Sequence, residues 1–202
     1  MVTPQTALNE NGLNENGLNE NGLNANGLDG TSLDEALAFV TRALEETPRR
    51  IEGIDRQSME LILLLHRVTN VVVYDLESRV HRPAGWSWAA FRAVFTLWIS
   101  GPLEPSRLAE TSGMSRQAVS SLVKTLEADG LIARSAVEHD ARSVVLSLTP
   151  LGTRKIVQVF REHNVREADW AATLDPDERD TMTRLLRKLA NAAQQDWVSH
   201  RF

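Results

Sequence analysis

The sequence of 202 residues contains no cysteine, and this absence excludes several classes of site at once. Without thiols the chain can form no disulfide, no thiolate metal site and no cysteine-based oxidant sensor. It also lacks a Walker loop, the glycine pattern of dinucleotide-binding folds, the HExxH zinc pattern and the GxSxG nucleophile turn. We therefore expect no catalytic residue and no cofactor.

Histidine is sparse as well. The five histidines, at positions 66, 81, 139, 163 and 200, are far apart in sequence, and no two of them have the spacing of a metal-ligand pair. No metal site is therefore expected within one chain. A site built from histidines and carboxylates across a dimer is the one arrangement that the spacing leaves open.

Long apolar runs are missing too. No segment is long and apolar enough to cross a bilayer, and the N-terminus has neither the basic nor the apolar region of a signal peptide. These features predict a soluble cytoplasmic protein without a membrane partner.

The chain has no excess of positive charge. The formal net charge is −5; residues 1–47 hold eight acidic and one basic side chain, a charge of −7, which leaves +2 for the remainder. The segment 107–142 is neutral, with five charges of each sign. Nucleic-acid binders usually carry a basic patch. Binding would therefore require a dimer that gathers its cations on one face, here Arg116, Lys124, Arg134 and Arg142.

A repeat occupies the N-terminal region. Residues 8–30 repeat a five-residue unit, NGLNE with variants. Five is neither a helical nor a strand period, and asparagine and glycine favour turns. The segment also has too little apolar surface to offset the entropy of ordering. We predict that residues 1–30 form a disordered tail; the alternative is an arm that becomes ordered only on binding a partner.

Residues 31–82 are predicted to form two helices that serve dimerisation. The first opens at Ser32, which has the spacing of a capping box, and ends at Pro48. The second runs from about residue 56 to residue 82. It is apolar on more than one side, so it needs packing partners on both flanks.

Residues 83–150 carry the most informative pattern, which begins with a helix from Ser87 to about Ser100. Two short helices joined by a tight turn follow. Pro105 suits the first turn of the earlier one, and Gly113 ends it because glycine tolerates the left-handed conformation. Ser115 is a good N-cap for the second short helix, which ends near residue 130.

The second short helix has one apolar face at helical spacing. Its other face carries five polar side chains: Arg116, Gln117, Ser120, Ser121 and Lys124. Two helices in this arrangement are typical of a helix-turn-helix, whose second helix enters the major groove. Arginine and glutamine can bond to guanine and adenine edges, small hydroxyl residues allow close approach, and lysine can reach phosphate. The alternative is an amphipathic helix with a solvated face.

Two strands are predicted next, at residues 131–134 and 143–149, with a charged tip between them. A hairpin beside a recognition helix is called a wing. Arg142 can enter the minor groove, where the negative potential favours arginine, and Asp140 can hold it by a charge-assisted hydrogen bond. The alternative is a solvated turn. Leu103 is expected to add a short third strand.

Three short motifs run through this region: Gly130-Leu131-Ile132-x-Arg134, Asp140-x-Arg142-Ser143 and Leu148-Thr149-x-x-Gly152. Together with the order of elements from about residue 55 onward, they resemble the signature of the MarR (multiple antibiotic resistance regulator) family. The resemblance implies a dimeric winged-helix transcription factor that is often released from DNA by a small ligand. In one departure from the family pattern, Glu138 and His139 make the wing less basic than usual.

The DNA-binding residues expected on these grounds are Ser106, Ser115, Arg116, Gln117, Ser120, Ser121, Lys124, Arg134, Asp140 and Arg142. Trp86 and Trp88 can wall a pocket for an aromatic effector, with Arg92 or His66 as a polar partner. The alternative for the tryptophans is packing.

Residues 151–202 are predicted to form two dimerisation helices, a long one from about Thr153 to Thr173 and a last one capped by Asp175, with Pro176 at its first position and Glu178 at its third. Each has one apolar face, which a single chain covers poorly. A two-fold dimer, in which the same helices pair across the axis, is the simple solution.

The fold class expected is mainly α with a small β wing, a winged helix-turn-helix joined to a helical dimerisation region. The expected function is that of a homodimeric regulator on a palindromic DNA operator, a repressor released by a small effector. One alternative is a winged-helix module that binds another protein through its acidic N-terminal arm. Another is the dimerisation domain of an enzyme such as a methyltransferase, for which no sequence remains to supply a cofactor domain.

Overall fold

The computed structural model describes residues 30–137 and 140–192, together with residues 195 and 198. Within those ranges, the side chains of residues 30–36, 137 and 140–143 are not described. The predicted disordered tail therefore lies outside the described residues, apart from Gly30. The chain divides into two compact units between Asp75 and Leu76.

The first unit contains helix α1 (Gly30–Arg50) and all but the last residue of helix α2 (Arg56–Leu76). The expected start and end of α1 are both wrong. The helix begins at Gly30, ahead of the predicted cap at Ser32, and Pro48 lies inside its last turn. Proline has the φ of a helix, but it lacks the N–H and its ring crowds the carbonyl four residues earlier. The helix nevertheless continues two residues further, to Arg50.

Helix α2 continues without a break into a π-helical turn, Glu77–His81, which belongs to the second unit. This confirms the predicted continuous helix up to Arg82, which closes the turn by donating its N–H to the carbonyl of Glu77 (2.8 Å). The wider turn inserts a residue relative to an α-helix and is often found at functional sites. It buries the side chains of Glu77, Val80 and His81.

In its described residues, the second unit further contains five helices and one hairpin. They are α3 (Trp88–Ser100), α4 (Pro105–Ser112), α5 (Arg116–Ala128), β1 (Ile132–Val137), β2 (Asp140–Leu148), α6 (Pro150–Ala171) and α7 (Pro176–Ala192). Ser87 caps α3 as predicted, because its hydroxyl accepts a hydrogen bond from the N–H of Ala90 (3.1 Å). The mainly α fold with a small β wing is confirmed.

The hairpin pairs β1 and β2 antiparallel, from Ile132 opposite Leu148 to Ala136 opposite Val144, with a register shift after Ala136. The expected third strand is reduced to one bridge, in which Leu103 exchanges both backbone hydrogen bonds with Leu146 (3.0 and 2.8 Å). It cannot lengthen, because the preceding residue is proline, which has no N–H to donate, and α4 begins two residues later.

The core of the second unit lies between α3 and the elements that follow it. Buried side chains from every layer meet there: Val94, Leu108, Val119, Leu131, Leu146 and Ile156. Each is at most 2% exposed. Burial of a branched side chain contributes about 1.5–3 kcal/mol, so this cluster holds α4 and α5 against α3.

The start of α6 is joined to the base of the hairpin. Thr149 caps α6 by accepting from the N–H of Gly152 (3.0 Å) and donates its own hydroxyl proton to the carbonyl of Gly130 (2.6 Å). Its N–H donates to the carbonyl of Leu131 (3.0 Å). The helix therefore begins at Pro150, three residues before the predicted Thr153. The Thr-Pro pair is a local start signal that the helical periodicity did not reveal.

Gly152 is needed at this junction because the backbone of the hairpin comes very close to it. A Cβ atom at this position would lie 2.0 Å from the carbonyl oxygen of Leu131 and 2.9 Å from its carbonyl carbon. Three residues of the signature motifs, Gly130, Thr149 and Gly152, thus have structural roles in holding the hairpin to α6.

The last helix begins at the predicted N-cap, Asp175, and Glu178 completes a capping box with it. The N–H of Glu178 donates to the carboxylate of Asp175, and the N–H of Asp175 donates to the carboxylate of Glu178 (2.9 Å each). Nothing in the described chain buries any residue of α7. None of the described helices combines the length and the apolar character that a membrane span needs.

Candidate nucleic-acid interface

Helix α5 is anchored on one side and open on the other. Val119, Val123 and Leu126 are at most 1% exposed and face the core. Ser115 caps the first turn, since its hydroxyl accepts from the N–H of Ala118 (3.1 Å). The orientation of the outer face is therefore set by the packing of the inner one.

The outer face of α5 presents the predicted polar side chains together. All five are exposed: Arg116, Gln117, Ser120, Ser121 and Lys124. They extend over about 12 Å of helix, at 1.5 Å per residue, which matches the width of the major groove. Chemically, the face offers one guanidinium, one amide, two hydroxyls and one ammonium group.

Arg92 of α3 holds the turn between α4 and α5 by donating a hydrogen bond to the carbonyl of Ser112. Gly113 follows in the left-handed conformation (φ 66°) and ends α4 as predicted. Ser106, in the first turn of α4, is half-buried. Arg92, expected on the sequence to contact an effector, thus has a structural partner at the turn that positions α5.

Arg134 is not an isolated cation. Its Nε donates to the Glu127 carboxylate near the end of α5 (2.8 Å), and the two side chains are 43% and 29% exposed. The ion pair ties β1 to α5. It also places a negative charge next to a side chain that was expected to meet DNA, and the sequence alone did not indicate this pairing.

The tip of the wing is only partly described. The backbone of β2 begins at Asp140, but the side chains of Asp140 and Arg142 lie outside the described residues, as do Glu138 and His139. Contact between the wing and DNA therefore stays a prediction.

The four candidate effector residues lie in different settings. His66 is exposed on α2, with its Nδ1 3.5 Å from the amide nitrogen of Asn70. Trp86 is 3% exposed, and the ammonium group of Lys155 sits 5.1 Å above its ring. Trp88 is half-buried and stacks on Phe91 with ring centroids 5.8 Å apart. Both tryptophans thus pack within the second unit, and their role in binding an effector stays a prediction.

Sequence reasoning missed a buried chain of hydrogen bonds between two histidines and a carboxylate. His81 Nε2 lies 3.0 Å from His163 Nδ1, and His163 Nε2 lies 3.1 Å from the Glu167 carboxylate. The ring of Phe91 packs against both imidazoles, with centroids 4.2 and 4.4 Å away. The two histidines are 82 residues apart, so no local pattern could reveal the pair.

Burial strongly affects the protonation of this pair. Desolvation, together with the neighbouring His163, lowers the pKa of His81 to about 3. Desolvation also lowers the pKa of His163, against the opposing effect of Glu167. The described residues hold no cluster of three or more histidine, aspartate or glutamate side chains that could bind a metal.

Comparison with known proteins finds similarity to transcriptional regulators. The MarR family model matches residues 86–144. The chain is 30% identical over 141 residues to YwaE, an uncharacterised HTH-type transcriptional regulator of Bacillus subtilis; the match covers 70% of this chain and 82% of that protein.

Two solved structures share the fold. One is a cysteine-to-serine mutant of MarR from E. coli bound to operator DNA (TM-score 0.61, 20% identity, 68% of this chain and 99% of that one). The other is Bordetella bronchiseptica BpsR, whose DNA binding is regulated by 6-hydroxynicotinic acid (TM-score 0.59, 22% identity, 65% and 98%).

Proposed function

Because the chain belongs to the MarR family of DNA-binding transcription regulators, whose members are not enzymes, we propose that it is a homodimeric repressor that binds a palindromic operator and is released by a small molecule. The observation that carries the proposal is α5. Its inner face is buried and its outer face exposes five side chains suited to base edges and phosphates. We propose that this face enters the major groove.

A second copy of the chain explains the exposed apolar side of α7. Met182, Leu185, Leu186 and Leu189 recur at helical spacing and are 41–47% exposed. Because a lone protomer rarely leaves such a stripe in water, we infer that the α7 helices pair about a two-fold axis. Such a dimer can present two α5 helices about 34 Å apart, one DNA turn, so that they read the two halves of a palindrome.

The proposal is tested by operator binding. The probe is a labelled duplex from the DNA upstream of the protein's own coding sequence, first mapped by footprinting. We expect Arg116→Ala and Gln117→Ala each to weaken binding by about 5- to 150-fold, since a side chain bonded to a base edge contributes about 1–3 kcal/mol. Fluorescence anisotropy measures the change.

The matched control is Arg161→Ala, which removes an exposed arginine of α6 and should bind like the wild type. Equal affinities for Arg116→Ala, Gln117→Ala and Arg161→Ala would contradict the proposal. They would instead favour a module that binds another protein.

The ion pair between Glu127 and Arg134 gives a prediction of opposite sign. Glu127→Gln removes a negative charge near the proposed DNA surface and releases Arg134 from its carboxylate partner. We expect operator affinity to rise about two- to threefold at 0.1 M salt, a small change because exposed charges are screened over about 10 Å. Anisotropy at several salt concentrations measures it, and the gain should shrink as salt increases. Weaker binding would instead mean that the pair is needed to hold the wing in place.

An effector is sought by release of the same complex. A panel of small aromatic acids is the first choice, since BpsR responds to one of that class. Within the second unit, the described residues that we propose to line the site are Trp86, Trp88 and Arg92. Substituting Trp88, the half-buried tryptophan, with leucine should reduce the response to an active compound and leave operator binding intact.

A further inference from the structure

The hydrogen-bond directions in the buried histidine chain follow from its chemistry. The Glu167 carboxylate can only accept, so Nε2 of His163 carries a hydrogen. His163 is neutral, because burial lowers its pKa, so its Nδ1 has a lone pair and accepts from Nε2–H of His81 (3.0 Å). Nδ1 of His81 then carries no hydrogen and has a free lone pair. It is fully buried and finds no hydrogen-bond partner in the described part of the chain.

The chain of hydrogen bonds from Glu167 through His163 to His81 runs from solvent to the interior of the protein. The side chain of Glu167 is 46% exposed and that of His163 is 5% exposed, while His81 is completely buried. A proton can therefore reach the pair through Glu167. Among the described residues, no group of three or more histidine, aspartate or glutamate side chains is placed to hold one metal ion, and we therefore consider the binding of a proton.

The groups around the pair do little to stabilise a charge on His81. On the π-helical turn, the carboxylate of Glu77 is engaged by Arg82 (3.7 Å). On α6, Asn164 donates to the second oxygen of Glu167 (3.0 Å). Helix α3 contributes the rings of Phe91 and Trp88, and its one charged residue, Arg92, is directed to the carbonyl of Ser112.

We propose that the hydrogen bonds of His81, His163 and Glu167 form a joint that holds the π-helical turn against α6. Protonation at low pH opens this joint, and its opening weakens operator binding. The inference rests on the proposed function for its link to DNA. One added proton on His163 reverses the hydrogen bond to His81 and leaves a buried N–H on His81 Nδ1 without an acceptor. A second proton sets two N–H groups against each other and breaks the joint.

The expected size follows from linkage. In the closed joint both imidazoles stay neutral below their usual pKa, which for His81 falls to about 3. In an opened joint each returns to a pKa near 6.5. Lowering the pH through 6.5 therefore favours the open form, and at pH 5.5 His81 multiplies the opening constant by about tenfold. His163, whose pKa is also lowered in the closed form, adds a factor in the same direction that is at most as large. Helix α6 leads into α7, so its release from α3 would change the spacing of the two DNA-reading helices.

The test compares pH 7.5 with pH 5.5 by two measurements. Hydrogen exchange of α6 amides in the DNA-free protein, corrected for the intrinsic effect of pH, should rise by up to about tenfold per histidine in the wild type. The operator Kd should rise several-fold over the same interval, within the limit set by the opening constant. His163→Gln offers one acceptor and one donor but binds no proton, so it should lose the part of the pH dependence that His163 contributes.

The double variant His81→Phe/His163→Phe keeps the stack of rings and should remove the remaining pH dependence. Glu162→Gln, an exposed change on the same helix, is the control and should behave like the wild type. If the double variant does not fold, His163→Gln alone decides. Identical pH dependence of exchange in the wild type and in His163→Gln would overturn the joint. Absence of any operator complex at pH 7.5 would instead refute the proposed function, while the exchange measurement would still decide the joint.

Discussion

Replacing Gly152 by alanine is expected to destabilise the protein by about 3 kcal/mol, the upper part of the range for overpacked sites. The added Cβ would lie 2.0 Å from the Leu131 carbonyl oxygen, far inside van der Waals contact. Because the obstacle is backbone, no side-chain rotation can relieve it. The start of α6 must move away from the hairpin, which also breaks the hydrogen bonds of Thr149 to Gly152 and Gly130.

Thermal unfolding at one fixed protein concentration measures this effect. A loss of about 3 kcal/mol corresponds to a fall in Tm of about 6–12 °C for a chain of this size. Thr153→Ala, at the next and exposed position, is the matched control and should change Tm little. A Tm for Gly152→Ala equal to that of the control would show that α6 can pack without the close contact.

The second large effect is expected at the apolar stripe of α7. Leu185→Glu combined with Leu189→Glu places two charges where we infer that a second copy packs, and unpaired buried charges cost several kcal/mol each. The dimer should dissociate at micromolar concentration, as seen by analytical ultracentrifugation. Operator affinity should fall by more than about hundredfold, because one half-site contact is lost from each complex.

The matched control for this experiment adds a charge to the opposite side of the same helix. Asn191→Glu lies about half a turn from the stripe and is exposed, so it should leave the dimer and the operator complex unchanged. Dissociation in both variants would indicate that net charge, and not the stripe, governs assembly. A stable dimer in the double leucine variant would place the interface elsewhere.

Much of the helix-turn-helix could be predicted because its determinants are local. Ser87, Ser115 and Asp175 each cap a helix through a residue three positions later, so the hydrogen bond is written into neighbouring sequence. Gly113 ends α4 for an equally local reason, its left-handed backbone. The exposed face of α5 followed from helical periodicity alone.

The helix boundaries that were wrong had a different cause. Pro48 was expected to end α1, but the helix runs two residues past it, despite the lost hydrogen bond and the crowding that a proline causes. The start of α6 was placed just after Gly152, although Thr149 and Pro150 already form a start signal. Periodicity locates the buried face of a helix better than its ends.

The sequence by itself determined where the chain turns, which face of α5 is polar and which family the motifs resemble, because each depends on residues within a few positions of one another. Only the tertiary structure decided that Glu127 engages Arg134, that Gly152 meets the Leu131 carbonyl, and that His81 and His163 form one buried pair. Those contacts join residues between 7 and 82 positions apart. They arise only when packing of α3, the hairpin and α6 brings the partners together, and no local pattern encodes that packing.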